Sequence, residues 1–422
     1  MLYCLQLISY CINIMYDNGS NYILKSSFLQ ELDDRGFLYQ CTNIEALDNI
    51  FNNNQKVTFY LGYDPTAKSL HVGHLLWIRF VKKLHDAGHH PIVLTGGATG
   101  KIGDPTWKET QRKMLDYNTI LDNIKSINNK LINIFGSNIK DNSIKMLNND
   151  DWLSKLNYME FLRDFGPLFS VNKMLTMDSI SSRLQRQQHL SFLEFNYMLL
   201  QAYDFLYLFE NYNCTLQIGG QDQWSNVISG VDLIRRKHEK EAYGLSIPLL
   251  LTSDGKKMGK TESGTIWLDE NMLSPFDFWQ YWRNVDDKDV IKLMKLFTDL
   301  SIDEIEKFEK HVGSKEINEA KIILADAVTS FVHPTANLSD IKLSASGNKT
   351  SVAIETIKLE SPLQLDKALV KAGLSESATQ AKKLISGNGV RIDNIVVNNY
   401  TYVIDKSCLV SVGKKKLKQF II

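Results

Sequence analysis

The stretch Thr58-Phe59-Tyr60-Leu61-Gly62-Tyr63-Asp64-Pro65-Thr66-Ala67-Lys68-Ser69-Leu70-His71-Val72-Gly73-His74-Leu75-Leu76-Trp77 changes character halfway along. Residues 56–61 are rich in aromatic and β-branched side chains and read as a buried strand. Asp64-Pro65-Thr66 breaks that pattern, and from Gly73 to His85 the apolar residues return at helical spacing. A strand, a polar turn and a helix open a βα unit, whose ligands lie beyond the carboxyl end of the strand. His71 and His74 fall where the helix begins, with Gly73 between them to admit a close approach. Free N–H groups and partial positive charge at such a helix start suit a phosphate.

His-Val-Gly-His on its own also fits a turn whose histidines merely cap a helix. Histidines three apart share a helix face as a metal pair would, but no Cys or carboxylate cluster joins them. A second element, far downstream, narrows the choice. Lys256-Lys257-Met258-Gly259-Lys260-Thr261 follows the strand-like Ile247-Pro248-Leu249-Leu250-Leu251. Two lysines three apart on a glycine-containing loop form a mobile clamp for a polyphosphate.

Together the two elements resemble the paired signature motifs of class I aminoacyl-tRNA synthetases. The flanks resemble the tyrosyl branch of bacterial and organellar type. These are Tyr60 with the following Gly-Tyr-Asp-Pro-Thr-Ala, the block Gly96-Gly97-Ala98-Thr99-Gly100-Lys101-Ile102-Gly103-Asp104-Pro105, Tyr197 to Asp204, and Gln217 to Trp224. The resemblance runs from about residue 27 to the C-terminus. It implies tyrosyl-adenylate formation from L-tyrosine and ATP, then transfer to the terminal ribose of tRNA(Tyr). No enzyme nucleophile is needed for this chemistry, only positioning and charge stabilisation.

By the same resemblance, Thr66, His71 and His74 contact the ATP phosphates. Lys257, Lys260 and Thr261 close over the departing pyrophosphate, with Lys108 and Arg112 helping from another loop. Tyr60 and Asp204 surround the phenolic hydroxyl of tyrosine. Asp104, Tyr197 and Gln201 meet its ammonium group, and Gln223 its carboxylate. Gly62, Gly220 and Asp222 hold the ribose and adenine side, with Asp64 and Gly73 on the nucleotide as well. Mg2+ comes with ATP, and no tightly bound protein metal is implied. The lysine motif departs from the family's letters, with Gly259 and Thr261 where serines stand, but both lysines remain.

One part of this is visible in the residues alone. Tyr197, Gln201 and Asp204 sit at spacings of four and three on an otherwise apolar helical stretch, 194–210. Three polar residues on one face of such a helix are costly in a plain core and are explained by a polar ligand.

The fold class expected is α/β: a Rossmann-like, parallel-sheet catalytic domain over 27–250, with a dimerisation insertion around Phe169 to Gln188. The lysine loop and an α-helical, anticodon-side domain follow over 251–336, then a polar linker over 337–360. A small S4-like α+β RNA-binding domain closes the chain over 361–422. That last segment holds ten Lys/Arg against four Asp/Glu, and a compact basic module suits a phosphate backbone. Residues 1–26 read as an extension, either a loose tail or an over-long start. Helices are expected over 108–135 and 150–166 as well.

Lys+Arg and Asp+Glu both total 48, so net charge selects no acidic partner. Five cysteines without CxxC spacing fit reduced thiols in the cytoplasm. The apolar run Leu2 to Ile14 is too short to span a bilayer. The partners implied are tRNA(Tyr), tyrosine, ATP and a second copy of the chain, with no membrane and no DNA. Tryptophanyl-tRNA synthetase is the nearest rival, and Asp204 facing Tyr60 argues against it. The basic C-terminal module argues against a pantothenate-synthetase-like adenylate-forming enzyme. Intact His71, His74, Lys257 and Lys260 argue against an RNA-binding relative that has lost catalysis, such as a splicing helper.

Overall fold

Strand β3 (Thr58–Tyr63) lies in the middle of a seven-stranded sheet, and the chain leaves it first to one side and then to the other. In the computed structural model, β4 (His90–Thr95) and β5 (Lys145–Asn148) extend the sheet in one direction, each parallel to its neighbour. On the other side β6 (Cys214–Gly220) and β7 (Tyr243–Ile247) are again parallel. Beyond them β2 (Gln40–Cys41) runs antiparallel to β7, and β1 (Met15–Tyr16) is parallel to β2 at the edge. The described residues are 15–16, 22–104, 115–141, 143–261, 264–345, 356–359, 361–393, 395–413 and 416–421.

β7 is buried throughout and β3 at Phe59, Tyr60, Leu61 and Tyr63, as strands must be when helices cover both faces of a parallel sheet. The helix Val72–Asp86 buries Leu75, Ile78, Phe80 and Val81. Helices Phe192–Tyr212 and Trp224–His238 pack against one another and against β6. Reversal of strand order between β6 and β4 makes the carboxyl end of β3 a topological switch point, where open α/β sheets bind ligands.

Several boundaries differ from the sequence reading. β7 stops at Ile247 and the run to Leu250 is not strand; Pro248 has no N–H to give a ladder. The stretch 150–166 divides into Asp150–Leu153 and Tyr158–Phe165, because Asn157 caps the second helix through the Met159 and Glu160 N–H groups. The helix expected from 108 begins at Tyr117, and residues 105–114, with Lys108 and Arg112, lie outside the described residues. The packed body starts by Tyr22 rather than at 27. Buried Asp48 accepts bonds from Tyr22 Oη (2.9 Å) and from the N–H groups of Lys25 (2.8 Å) and Ser26 (2.9 Å).

After the sheet, β8 (Lys260–Thr261) and β9 (Gly264–Thr265) form a small antiparallel pair. Helices Pro275–Arg283, Asp287–Phe297 and Ile317–Val332 then bundle around Phe278, Trp282 and Phe297. The chain divides into two compact units, Met1–Ala336 and Asn337–Ile422. In the second, strands β10 (Thr356–Lys358), β12 (Val390–Ile392), β13 (Ile395–Val396), β15 (Cys408–Val412) and β16 (Lys416–Ile421) form a sheet in the order β10-β16-β15-β12-β13. β11 (Leu363–Gln364) pairs with β14 (Val403–Ile404). Helices Leu365–Lys371 and Ala378–Ser386 close a core of Leu365, Leu369, Ile385, Val390, Val410 and Phe420. The stretch 337–360, expected as linker, therefore carries the helix Leu338–Ala345 and a strand of this sheet.

Candidate active site

A cavity of about 380 Å³ opens at the switch point. Its walls come from the ends of β3 and β6, the start of helix Val72–Asp86, one face of helix Phe192–Tyr212 and the lysine loop. Tyr60, Gly62, Asp64, Thr66, His71, Gly73, His74, Asp104, Tyr197, Gln201, Asp204, Gly220, Asp222, Gln223 and Lys257 all line it. Lys260 and Thr261 enter β8, and their side chains are outside the described set.

At the floor, Asp204 is 2 % exposed and its carboxylate is held at both oxygens. Asn149 Nδ2 donates at 2.9 Å and Trp152 Nε1 at 2.7 Å. Trp152 is in turn stacked on Tyr207, with ring centroids 4.3 Å apart. Burial pushes the Asp204 carboxyl up to about 7, against the pull of those two donors. The Tyr60 ring is 2 % exposed and packs on Phe205, and its hydroxyl is buried without a hydrogen-bond partner. Gln201 Oε1 and Gln217 Oε1 on the cavity wall are likewise buried and unpartnered. Each unpaired buried polar atom costs about 1–3 kcal/mol, so three around one cavity describe a site shaped to a polar ligand.

Higher on the wall the acidic residues form two networks. Asp64 accepts from Tyr197 Oη at 2.9 Å and from Thr99 Oγ1 at 2.7 Å, and Asn149 Nδ2 reaches Thr99 Oγ1 at 3.0 Å. Gly96 is required here, since a side chain would collide with the Asp64 carboxylate and Thr99. Gln223 donates to Asp104 at 2.6 Å and accepts from Asn226 at 2.9 Å, so its amide orientation is fixed.

The two histidines are arranged as hydrogen-bond donors aimed away from their own helix. His71 Nδ1 accepts from Gly73 N–H at 3.0 Å, and His74 Nδ1 accepts from His71 N–H at 3.1 Å. Each ring therefore carries its proton on Nε2. Burial, reinforced by His71 alongside, holds His74 down to about 3, so it stays neutral through the physiological range. The ring centroids lie 4.0 Å apart. Among the described residues no group of His, Cys, Asp and Glu side chains is placed to hold a metal ion.

The resemblance identified Tyr60 and Asp204 but not what holds Asp204. Asn149, Trp152 and Thr99 were missed, as was Gln217. Only Gln217 and Thr99 lay inside blocks already singled out, and Asn149-Asp150-Asp151-Trp152 carried no signal beyond a helix start.

This site sits within a chain that matches the sequence profile of tRNA synthetases class I (W and Y) over residues 52–346 and that of the S4 domain over 364–407. The chain belongs to the class I tRNA synthetases. Within that class its relatives include the tyrosine--tRNA ligases of Wolbachia pipientis wMel, 47% identical over 90% of this chain and 93% of that one, and of Rickettsia felis, 44% identical over 92% and 98%. A C-terminally truncated mitochondrial tyrosyl-tRNA synthetase from Aspergillus nidulans superposes with a TM-score of 0.67 at 28% identity. It covers 77% of this chain and 94% of its own.

Proposed function

We infer that this chain is a tyrosine--tRNA ligase, activating tyrosine with ATP and passing it to tRNA(Tyr). The observation that carries the reading is the floor of the cavity. There the buried, unpartnered Tyr60 hydroxyl accompanies an Asp204 carboxylate fixed by Asn149 and Trp152. An acceptor and a hydroxyl prepared in a buried pocket match a phenol and leave polar groups unpaired against phenylalanine.

The tyrosine ring lies along Tyr60 with its hydroxyl donating to Asp204. Its ammonium meets Asp104, Tyr197 and Gln201, and Gln223 steers the carboxylate. One carboxylate oxygen attacks the α-phosphorus of ATP in line as the bond to the pyrophosphate oxygen breaks. The negative charge that builds on the leaving group is met by Nε2–H of His71 and His74, by Thr66, and by Lys257, Lys260 and Thr261. Lys108 and Arg112 assist. Asp222 accepts from the ribose, and Gly62, Asp64, Gly73 and Gly220 shape the nucleotide side. Mg2+ arrives with the nucleotide. None of these groups changes covalently; the acceleration comes from donors placed where charge develops.

Ligand-free Asp204 holds a proton below about pH 7, whereas a bound phenol needs the carboxylate as acceptor. Tyrosine affinity is therefore expected to weaken as the pH falls below about 7, with a proton released on binding. Calorimetry in buffers of different ionisation enthalpy reads that proton; no release anywhere between about pH 5.5 and 7 would show that the carboxylate is already ionised before tyrosine binds and would refute this pH dependence.

The second unit supplies the RNA surface. A chain ended at Ala336 is expected to keep tyrosine-dependent pyrophosphate exchange and to lose most aminoacylation. Charging of tRNA with labelled tyrosine by full and shortened chains tests this; equal charging would refute it. The active form is a homodimer in the cytoplasm, joined through the insertion. There Val171 is 57% exposed, Leu184 46% and Leu175 40%, an apolar surface that a monomer would leave wet.

A further inference from the structure

The histidine and lysine motifs, distant in sequence, are joined by one extended segment, 266–269, that pairs antiparallel with 69–72. Val72 N–H donates to Ile266 O at 3.0 Å, and Leu268 N–H donates to Leu70 O at 2.9 Å. Trp267 stands opposite His71 in this ladder, with ring centroids 6.3 Å apart. Ser69, which is buried, closes its end. The Ser69 hydroxyl accepts from Asp269 N–H at 3.2 Å and donates to Leu70 O at 2.8 Å. The lysine loop is attached to the same segment, because Ile266 N–H donates to Gly259 O at 2.9 Å.

Gly259 is the point at which the loop crosses the histidine helix. Its φ is +91°, a left-handed value that side chains disfavour. A Cβ there would come within 3.3 Å of both Gly73 N and Val72 Cβ, on the first turn of helix Val72–Asp86. Val72 is fully buried, so neither atom can swing aside. Seen from the helix, a Cβ on Gly73 would lie 3.8 Å from Met258 O. The two motifs therefore meet backbone to backbone, with one glycine from each at the crossing. Just before it, residues 250–258 turn back on themselves, with Met258 N–H donating to Leu250 O at 2.9 Å. That turn carries Lys257 to the cavity that His71 and His74 also line.

We propose that Gly259 is a positioning residue for the activation step: only a residue without a side chain lets the lysine loop cross the histidine helix this closely, where segment 266–269 straps it down. The placing of Lys257 relative to the two imidazoles is thus set by backbone contacts, before any nucleotide enters. This rests on the reading of the chain as a tyrosine--tRNA ligase and extends it to residues that touch no substrate. It also gives the departure from the family's letters a purpose. A serine at this place would loosen the loop in this chain rather than restore the motif.

In the full-length chain, Gly259→Ala and Gly259→Ser are each expected to lower kcat of tyrosine-dependent ATP–pyrophosphate exchange on the order of tenfold. The KM for tyrosine stays unchanged, since no tyrosine-side group belongs to the loop. Hydrogen exchange at the Ile266 amide, whose acceptor is Gly259 O, should quicken in both variants while the sheet stays protected. Ser69→Ala removes the acceptor of Asp269 N–H at the far end of the strap, and should act in the same direction with a smaller effect. Unaltered Ile266 protection in both Gly259 variants would overturn the proposal, as would full kcat in Gly259→Ser. So would a rate loss matched by lost tyrosine affinity, which is the mark of general disturbance. Amide protection needs no turnover. A wild-type chain without tyrosine-dependent activity would therefore sink the functional reading while the crossing was still decided.

Discussion

Replacing Asp204 by alanine lowers kcat/KM for tyrosine in pyrophosphate exchange by on the order of 10³, and cuts discrimination against phenylalanine by a similar factor. Two losses add. The substrate hydroxyl forfeits a charged acceptor, worth about 1.5–3 kcal/mol, and the buried donors of Asn149 and Trp152 are stranded at about 1–3 kcal/mol more. The effect falls on tyrosine and not on ATP, because no phosphate-side group contacts Asp204 in the network. Tyrosyl-tRNA synthetases are themselves the standard case of such selection, with phenylalanine rejected by about 10⁵. Exchange kinetics with both amino acids, alongside a folding check by circular dichroism, measure the outcome. Unchanged tyrosine kinetics in a folded variant would remove Asp204 from the pocket.

His74→Asn gives the second large effect, and it falls on a different parameter. An Asn at this position can still accept from His71 N–H, so the helix start survives. What disappears is the Nε2–H donor directed at charge that exists only as the phosphorus–oxygen bond breaks. The expected result is a fall in kcat on the order of 10²–10³, with tyrosine affinity unaltered. Equilibrium titration of tyrosine and single-turnover adenylate formation separate the two quantities. A loss confined to tyrosine binding would contradict the role.

Much of this was legible because chemistry and local structure coincide in the sequence. The strand ending in Tyr60, the turn at Asp64-Pro65 and the histidines of the following helix are consecutive, so one motif places the floor and the phosphate side together. The face of Tyr197, Gln201 and Asp204 followed from helical periodicity alone. Contacts made across the fold were not legible. Asn149 and Trp152 reach Asp204 from 55 and 52 residues away, from a short helix whose sequence signals only a cap. Polar composition made 337–360 resemble a linker, but Thr356–Lys358 is a three-residue strand whose partner is the end of the chain. A strand that short leaves no periodic signal.

The central claim is that this pocket selects the phenol of tyrosine and activates its carboxylate. ATP–pyrophosphate exchange without tRNA, run in parallel with tyrosine, tryptophan and phenylalanine, tests it most directly. Exchange with tyrosine, and none above background with the other two, is the predicted result. Exchange driven by tryptophan would keep the fold and overturn the pocket, and a folded chain inactive with all three would contradict the enzyme reading itself.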